Sequence, residues 1–110
     1  MKVFYRQAAS DDLVRQFHYY LVTLNLPEIA VRFRDAVRRT VESLRQHPLV
    51  GPHYRSNAPQ LQDLRSWRVT GFEAIRIYYR PDKDTLQIVR ILHDKRDVKR
   101  ILERENPSAD

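Results

Sequence analysis

The stretch LRSWRVTGFEAIRIYYRPDKDTLQIVRILH, residues 64–93, decides the fold. Apolar and polar residues alternate along it with a period of two, which is the periodicity of strands. Thr70-Gly71-Phe72 and Pro81-Asp82-Lys83-Asp84 interrupt the alternation with good turn chemistry. The reading is three strands, Leu64 to Val69, Ala74 to Arg80 and Thr85 to His93, and connections this short make them an antiparallel meander. In the middle strand Ile75, Ile77 and Tyr79 point one way, and Arg76, Tyr78 and Arg80 the other. The expectation is one core face and one aromatic, basic face.

Upstream the period changes to that of helices. Residues 47–62 carry Pro48, Gly51, Pro52 and Pro59 without clear periodicity and read as an ordered crossover. Before it, Ala30, Phe33, Val37, Val41 and Leu44 form one stripe of a helix that starts at Pro27-Glu28 and ends at His47-Pro48. An earlier helix carries Leu13, Phe17, Tyr20, Leu21 and Leu24 and is closed by Asn25 and Pro27. Ser10 is its expected N-cap, with Asp11 and Asp12 in the first turn. Lys2 to Arg6 reads as a short strand with Val3 and Tyr5 on one side and Phe4 on the other.

Downstream, Asp94 to Leu102 reads as a short helix that packs through Val98, Ile101 and Leu102, while Asn106 to Asp110 should fray. The predicted class is α+β. A small antiparallel sheet, the first strand plus a three-stranded meander, packs on an N-terminal helical hairpin and is followed by a short C-terminal helix. Residues 1–104 are expected to be one domain and 105–110 a flexible tail.

The chain has 110 residues and a formal charge of +6, from 20 Lys and Arg against 14 Asp and Glu, so acidic partners or nucleic acid are favoured. The surplus is uneven: residues 64–104 hold eleven basic and six acidic residues. Arg predominates, and its planar guanidinium grips carboxylates and phosphates at two points. There is no Cys, and His18, His47, His53 and His93 show no metal-ligand spacing, so no metal and no cofactor is expected. Neither an apolar leader nor an 18-residue apolar run is present, which points to a cytoplasmic protein without a membrane partner.

Leu64-Arg65, Arg68-Val69, Gly71, Ile75 to Arg80, Ile88 to His93 and Arg96-Asp97-Val98, in that order and spacing, resemble the C-terminal signature of RelE/ParE-type toxins. Ala30, Phe33, Leu44, Pro48 and Gly51 are similar to that family's second helix and the turn after it. The resemblance implies a type II toxin held inactive by an acidic, partly disordered antitoxin, ParD-like or similar, with a DNA-binding N-terminal part. It also implies that the first strand joins the meander beside the last one. RelE-like members cut ribosome-bound mRNA, whereas ParE-like members poison DNA gyrase.

Chemistry separates the branches. Metal-free RNA cleavage needs a base for the 2′-hydroxyl, cations around the phosphate and a proton donor for the leaving oxygen. By resemblance, Arg76 stands at the phosphate-gripping position and Arg68 at a second cationic one. Ser66 holds the alternate position, and Lys99 or Arg100 stands where a nuclease would carry Tyr. His93 is the sole candidate proton carrier in that region. The run His93-Asp94-Lys95-Arg96-Asp97-Val98 resembles the ParE branch. The preferred reading is therefore a gyrase-directed toxin without catalytic residues, touching nucleic acid only through gyrase or the antitoxin. The alternative is a ribosome-dependent endoribonuclease using Arg68, Arg76 and His93, and a third reading is a toxin fold kept only as a regulatory partner. Lys95, Arg96, Lys99 and Arg100, expected as two cationic rows on the last helix, are the predicted target-binding residues. Arg34, Arg38 and Arg39 are the predicted antitoxin contacts.

Overall fold

The computed structural model describes residues 1–105. Its elements are β1 (Lys2–Tyr5), α1 (Gln7–His18) running into a π-helical turn (Tyr19–Thr23), α2 (Pro27–Gln46), a 3₁₀ turn (Pro59–Leu61), β2 (Arg65–Val69), β3 (Phe72–Asp82), β4 (Thr85–His93) and α3 (Val98–Glu103). The strand order is β1-β4-β3-β2. The meander is antiparallel as expected, and β1 adds to β4 in parallel, which makes the four-stranded sheet mixed.

α2 follows its sequence closely. Pro27 stands in its first turn, and Ala30, Phe33, Val37, Val41 and Leu44 are all buried, the last four in the core shared with the sheet. Phe33 packs edge-on to Tyr20 and Phe72, at centroid distances of 5.4 and 5.5 Å. Thr40 Oγ1 donates to the Ala36 carbonyl and accepts from the Thr70 N–H, tying α2 to the β2–β3 turn.

α1 departs from its reading at both ends. It begins at Gln7, so Ser10 lies inside the first turns and caps nothing. Asp12 is buried at 3% exposure and is used for tertiary contacts. At the other end Leu24 N–H reaches the carbonyl of Tyr19 at 3.0 Å, a five-residue step that widens the helix. The wider turn leaves Leu21 and Leu24, expected in the core, 38% and 42% exposed. Asn25 then takes a left-handed conformation, φ 51°, and reverses the chain into α2.

The largest departure is on the far side of the sheet, where the sequence suggested an open aromatic and basic face. A second apolar cluster lies there: Leu61 of the crossover, Leu64, which was read as strand but precedes β2, Tyr78, Val89 and Leu92 of the sheet, and Leu102 of α3. Tyr54 of the crossover meets Tyr78 edge-on at 5.8 Å. Of the three residues read as polar-face, Tyr78 is buried and Arg80 is paired with Asp63 at 2.7 Å; Arg76 approaches Asp94 at 3.6 Å. The crossover and α3 thus cover the second face.

The turn read at Pro81 to Asp84 is shorter, because β3 runs on to Asp82 and Lys83 alone takes a positive φ of 55°. Pro81 pairs with Leu86 beyond the last β2 partner, an edge position where a missing N–H is tolerated. Phe72, also read as turn, starts β3.

Candidate functional site

The register of the sheet sorts the predicted residues. Arg68 stands opposite Arg76, so the two share a face, while His93 stands opposite Ile75, on the face that packs against the helices. The three residues of the nuclease reading are therefore divided by the sheet. His93 Nδ1 accepts from the Lys95 N–H at 3.1 Å and organises the turn after β4. Arg68 and Arg76 converge on one carboxylate: Arg68 Nη1 lies 3.0 Å from Asp94 Oδ2 and Arg76 Nε 3.6 Å from Oδ1. Arg68 also donates to the Glu73 carbonyl. Pro52, Ser66 and Trp67 complete a groove of about 320 Å³ around this pair. Tyr78, beneath the cations, has its phenol pushed up by burial, with smaller opposing effects from Arg76 and Arg68. A phenol held protonated is a poor base, and the carboxylate beside the arginines, Asp94, is engaged by both of them.

The second candidate surface is the segment after β4. Asp97 caps α3 by accepting from the Arg100 N–H, so the helix starts at Val98 and not at Asp94. Lys95 and Arg96 consequently sit in the preceding turn, and the two i, i+4 rows expected on a longer helix do not form. The patch survives in another form. Lys95, Arg96, Lys99 and Arg100 are all exposed, and none enters an ion pair among the described residues. Val98, Ile101 and Leu102 fix the patch to the second apolar cluster, as expected.

The third surface lies between β1 and α2. Val3, Tyr5 and Val41 floor a groove of about 440 Å³ whose rim holds Arg38, Arg39 and Glu42. Arg38 and Arg39 are exposed and without an ion pair among the described residues, whereas Arg34 is engaged with Asp35 at 3.3 Å. The structure thus brings two of the three predicted antitoxin contacts together. Burial pushes the Tyr5 phenol up, and the nearby Arg38 guanidinium opposes the shift.

Two features escaped the sequence reading. Tyr19, Leu21, Val22, Leu24, Leu26 and Val31 are all exposed around the tip of the helical hairpin, an apolar surface of the kind that marks protein contacts. Its signal was hidden because Leu21 and Leu24 also fit a helical stripe. The other feature is an ion network. Asp12 takes two bonds from Arg90, at 2.7 and 2.8 Å, and accepts the Ile91 N–H at 2.9 Å, while Arg90 and Arg6 reach Glu105. Glu105, assigned from sequence to the tail, is anchored; the fraying expected for residues 106–110 lies outside the described residues. An acid three positions from Ala9 and next to Leu13, on the apolar side of α1, was the available clue.

The family model described as the ParE toxin of the type II toxin–antitoxin system parDE matches residues 3–98. Among solved structures, a chain from the chromosomal ParDE toxin–antitoxin system of P. aeruginosa is similar, with a TM-score of 0.68 and 24% identity. The match covers 84% of this chain and 95% of that one, and it supports the shared fold. No curated protein matches.

Proposed function

This chain belongs to the ParE toxin family of type II toxin–antitoxin systems, and from that premise we propose that it stops growth by binding DNA gyrase, with no chemistry of its own. As the toxin component it has a cognate antitoxin. The observation that carries the gyrase reading is the division of Arg68 and Arg76 from His93 by the sheet. Cations separated from the imidazole that would move the proton, with the nearby carboxylate of Asp94 taken up by both of them, fit a metal-free nuclease poorly.

In this reading Lys95, Arg96, Lys99 and Arg100 meet acidic protein surface or the phosphates of gyrase-held DNA. The antitoxin is an acidic, ParD-like chain with a DNA-binding N-terminal part, and its amphipathic segment lies along the helical hairpin and the β1–α2 groove. Arg38 and Arg39 fix its register, with Arg34 as an outer contact. Toxin, antitoxin and gyrase meet in the cytoplasm, and residues 1–104 act as one domain.

Supercoiling by purified gyrase tests the proposal. Inhibition by the chain, relieved by its antitoxin, is the expected result. Specific cuts in ribosome-bound mRNA that disappear in Arg76→Ala, with gyrase unaffected, would replace this reading with the nuclease one. Absence of growth arrest on induction without antitoxin would leave a regulatory partner only.

A further inference from the structure

Lys99, part of the cationic patch after β4, also lines a cleft between α3 and the crossover. Tyr54, Arg55, Ser56 and Asn57 form one wall of this cleft and Lys99 and Glu103 the other, around about 380 Å³. The two walls are fixed to each other. Leu61 and Leu102 belong to the same apolar cluster, Gln60 Nε2 donates to the Glu103 carbonyl at 3.2 Å, and Gln62 Nε2 donates to the Ser56 carbonyl at 3.2 Å. Arg55, like Lys95, Arg96, Lys99 and Arg100, is exposed and enters no ion pair among the described residues. It carries the patch from α3 onto a second element.

What the patch presents identifies its partner. Val98, Ile101 and Leu102, the apolar residues of α3, pack into the second cluster, so the outer surface is left with cations and the polar side chains of Ser56 and Asn57. A protein interface is centred on a desolvated apolar or aromatic anchor, whereas surfaces that hold DNA are polar and strongly positive. The exposed apolar side chains of this molecule gather elsewhere, around the tip of the helical hairpin. We infer that the patch binds the phosphate backbone of duplex DNA directly, with Arg55 and Lys99 gripping one phosphate in the cleft while Lys95, Arg96 and Arg100 meet its neighbours. Ser56 Oγ accepts from the Ala58 N–H at 3.1 Å, which leaves its O–H to donate to the same phosphate. Glu103, the acid that lines the cleft, repels the anion and marks where the strand ends its contact. The inference rests on the target reading above, from which it takes this patch as the target-facing surface, and it selects phosphate over acidic protein.

The test follows the fluorescence anisotropy of a labelled DNA duplex titrated with the full chain over a series of salt concentrations. Arg55→Ala with Lys99→Ala should weaken binding and reduce the slope of log affinity against log salt by about one, the loss of one neutralised phosphate. Arg32→Ala with Arg45→Ala removes the same charge from α2, which packs on the other face of the sheet, and should keep the wild-type slope. Equal effects of the two folded pairs would overturn the inference, because net charge alone would then explain the binding. Glu103→Gln should tighten binding; an unchanged affinity would overturn the placement of DNA at the cleft. Full inhibition of gyrase by a chain that binds no duplex would overturn the inference and leave the gyrase reading standing, with the patch meeting acidic protein instead. Cleft-dependent DNA binding without any effect on gyrase would do the reverse.

Discussion

Asp12 of α1 and Arg90 of β4 are joined at two points, Arg90 Nε to Oδ2 at 2.7 Å and Nη2 to Oδ1 at 2.8 Å. The Asp12 side chain is 1% exposed and that of Arg90 13%, so water screens the pair little. The Asp12 hydrogen bonds raise the Arg90 pKa. Removing one partner leaves the other charge buried and uncompensated, and here it also orphans the Ile91 N–H. Asp12→Ala should cost about 3 to 5 kcal/mol in urea unfolding. Arg15→Ala, whose side chain is 59% exposed on the same carboxylate, should cost less than about 1 kcal/mol. Similar losses for the two variants would mean that the network is not what holds α1 to the sheet.

Gly51 and Tyr79 make a second testable contact. The Gly51 N–H donates to the Tyr79 hydroxyl at 2.9 Å, and a Cβ at Gly51 would lie 2.6 Å from the Ser66 carbonyl oxygen and 2.5 Å from that hydroxyl. The glycine is there for close approach, since a backbone atom cannot give way. Gly51→Ala should destabilise by about 1 to 3 kcal/mol through overpacking. Tyr79→Phe should cost about 1 to 3 kcal/mol by leaving the N–H without an acceptor. If the contact is a single unit, the double variant should lose clearly less than the sum, as a thermal or urea double-mutant cycle would measure.

Charge reversal at Lys95 and Lys99 separates toxicity from folding. Both are exposed and outside any ion pair among the described residues, so Lys95→Glu with Lys99→Glu should shift stability by less than about 1 kcal/mol. Growth arrest and gyrase inhibition should fall while antitoxin binding, measured by calorimetry, persists. A folded double variant as toxic as wild type would move the target surface elsewhere, first to the face that bears Arg68 and Arg76.

Alkaline stability should report on the buried phenols. Burial raises the pKa of Tyr5, Tyr78 and Tyr79 above the ordinary value of 10.0. The unfolded chain then releases these protons first, so the stability they confer is complete below pH 10 and is lost as pH rises through the folded-state values. Urea midpoints should be flat up to about pH 9 and fall beyond it, with tyrosinate absorbance following the unfolding transition. Tyr78→Phe should flatten that fall; an unaltered slope would place the alkaline sensitivity elsewhere.

Repetition made much of the fold readable. The stripe from Ala30 to Leu44 and the alternation from Arg65 to His93 each repeat one physical statement many times over, and such signals resist local exceptions. What stayed hidden depended on single residues meeting across the chain. Nothing near Tyr78 says that Leu61 and Leu102 will cover it, because a residue on the second face of a sheet looks polar-facing whenever its neighbours are arginines. Asp12 read as an N-terminal helix charge, since its partners Arg90 and Ile91 lie 78 and 79 residues away. The candidate cations were visible as residue types, but their division into Asp94-bound arginines and a patch after β4 with no ion pair among the described residues is a matter of geometry. The five-residue step at Tyr19 that exposes Leu21 and Leu24 has no composition signal at all.

The parallel pairing of β1 with β4 also has a bearing on timing. β1 is made before β4, yet its strand partners lie at residues 84–88, and the carboxylate of Asp12 waits equally long for Arg90. Until β4 has been made, β1 has no strand to pair with. The sheet therefore closes only once β4 has been made, and a chain interrupted before β4 cannot assemble it. For a protein whose activity harms the cell that makes it, an unfinished copy lacks the completed scaffold that positions the patch after β4.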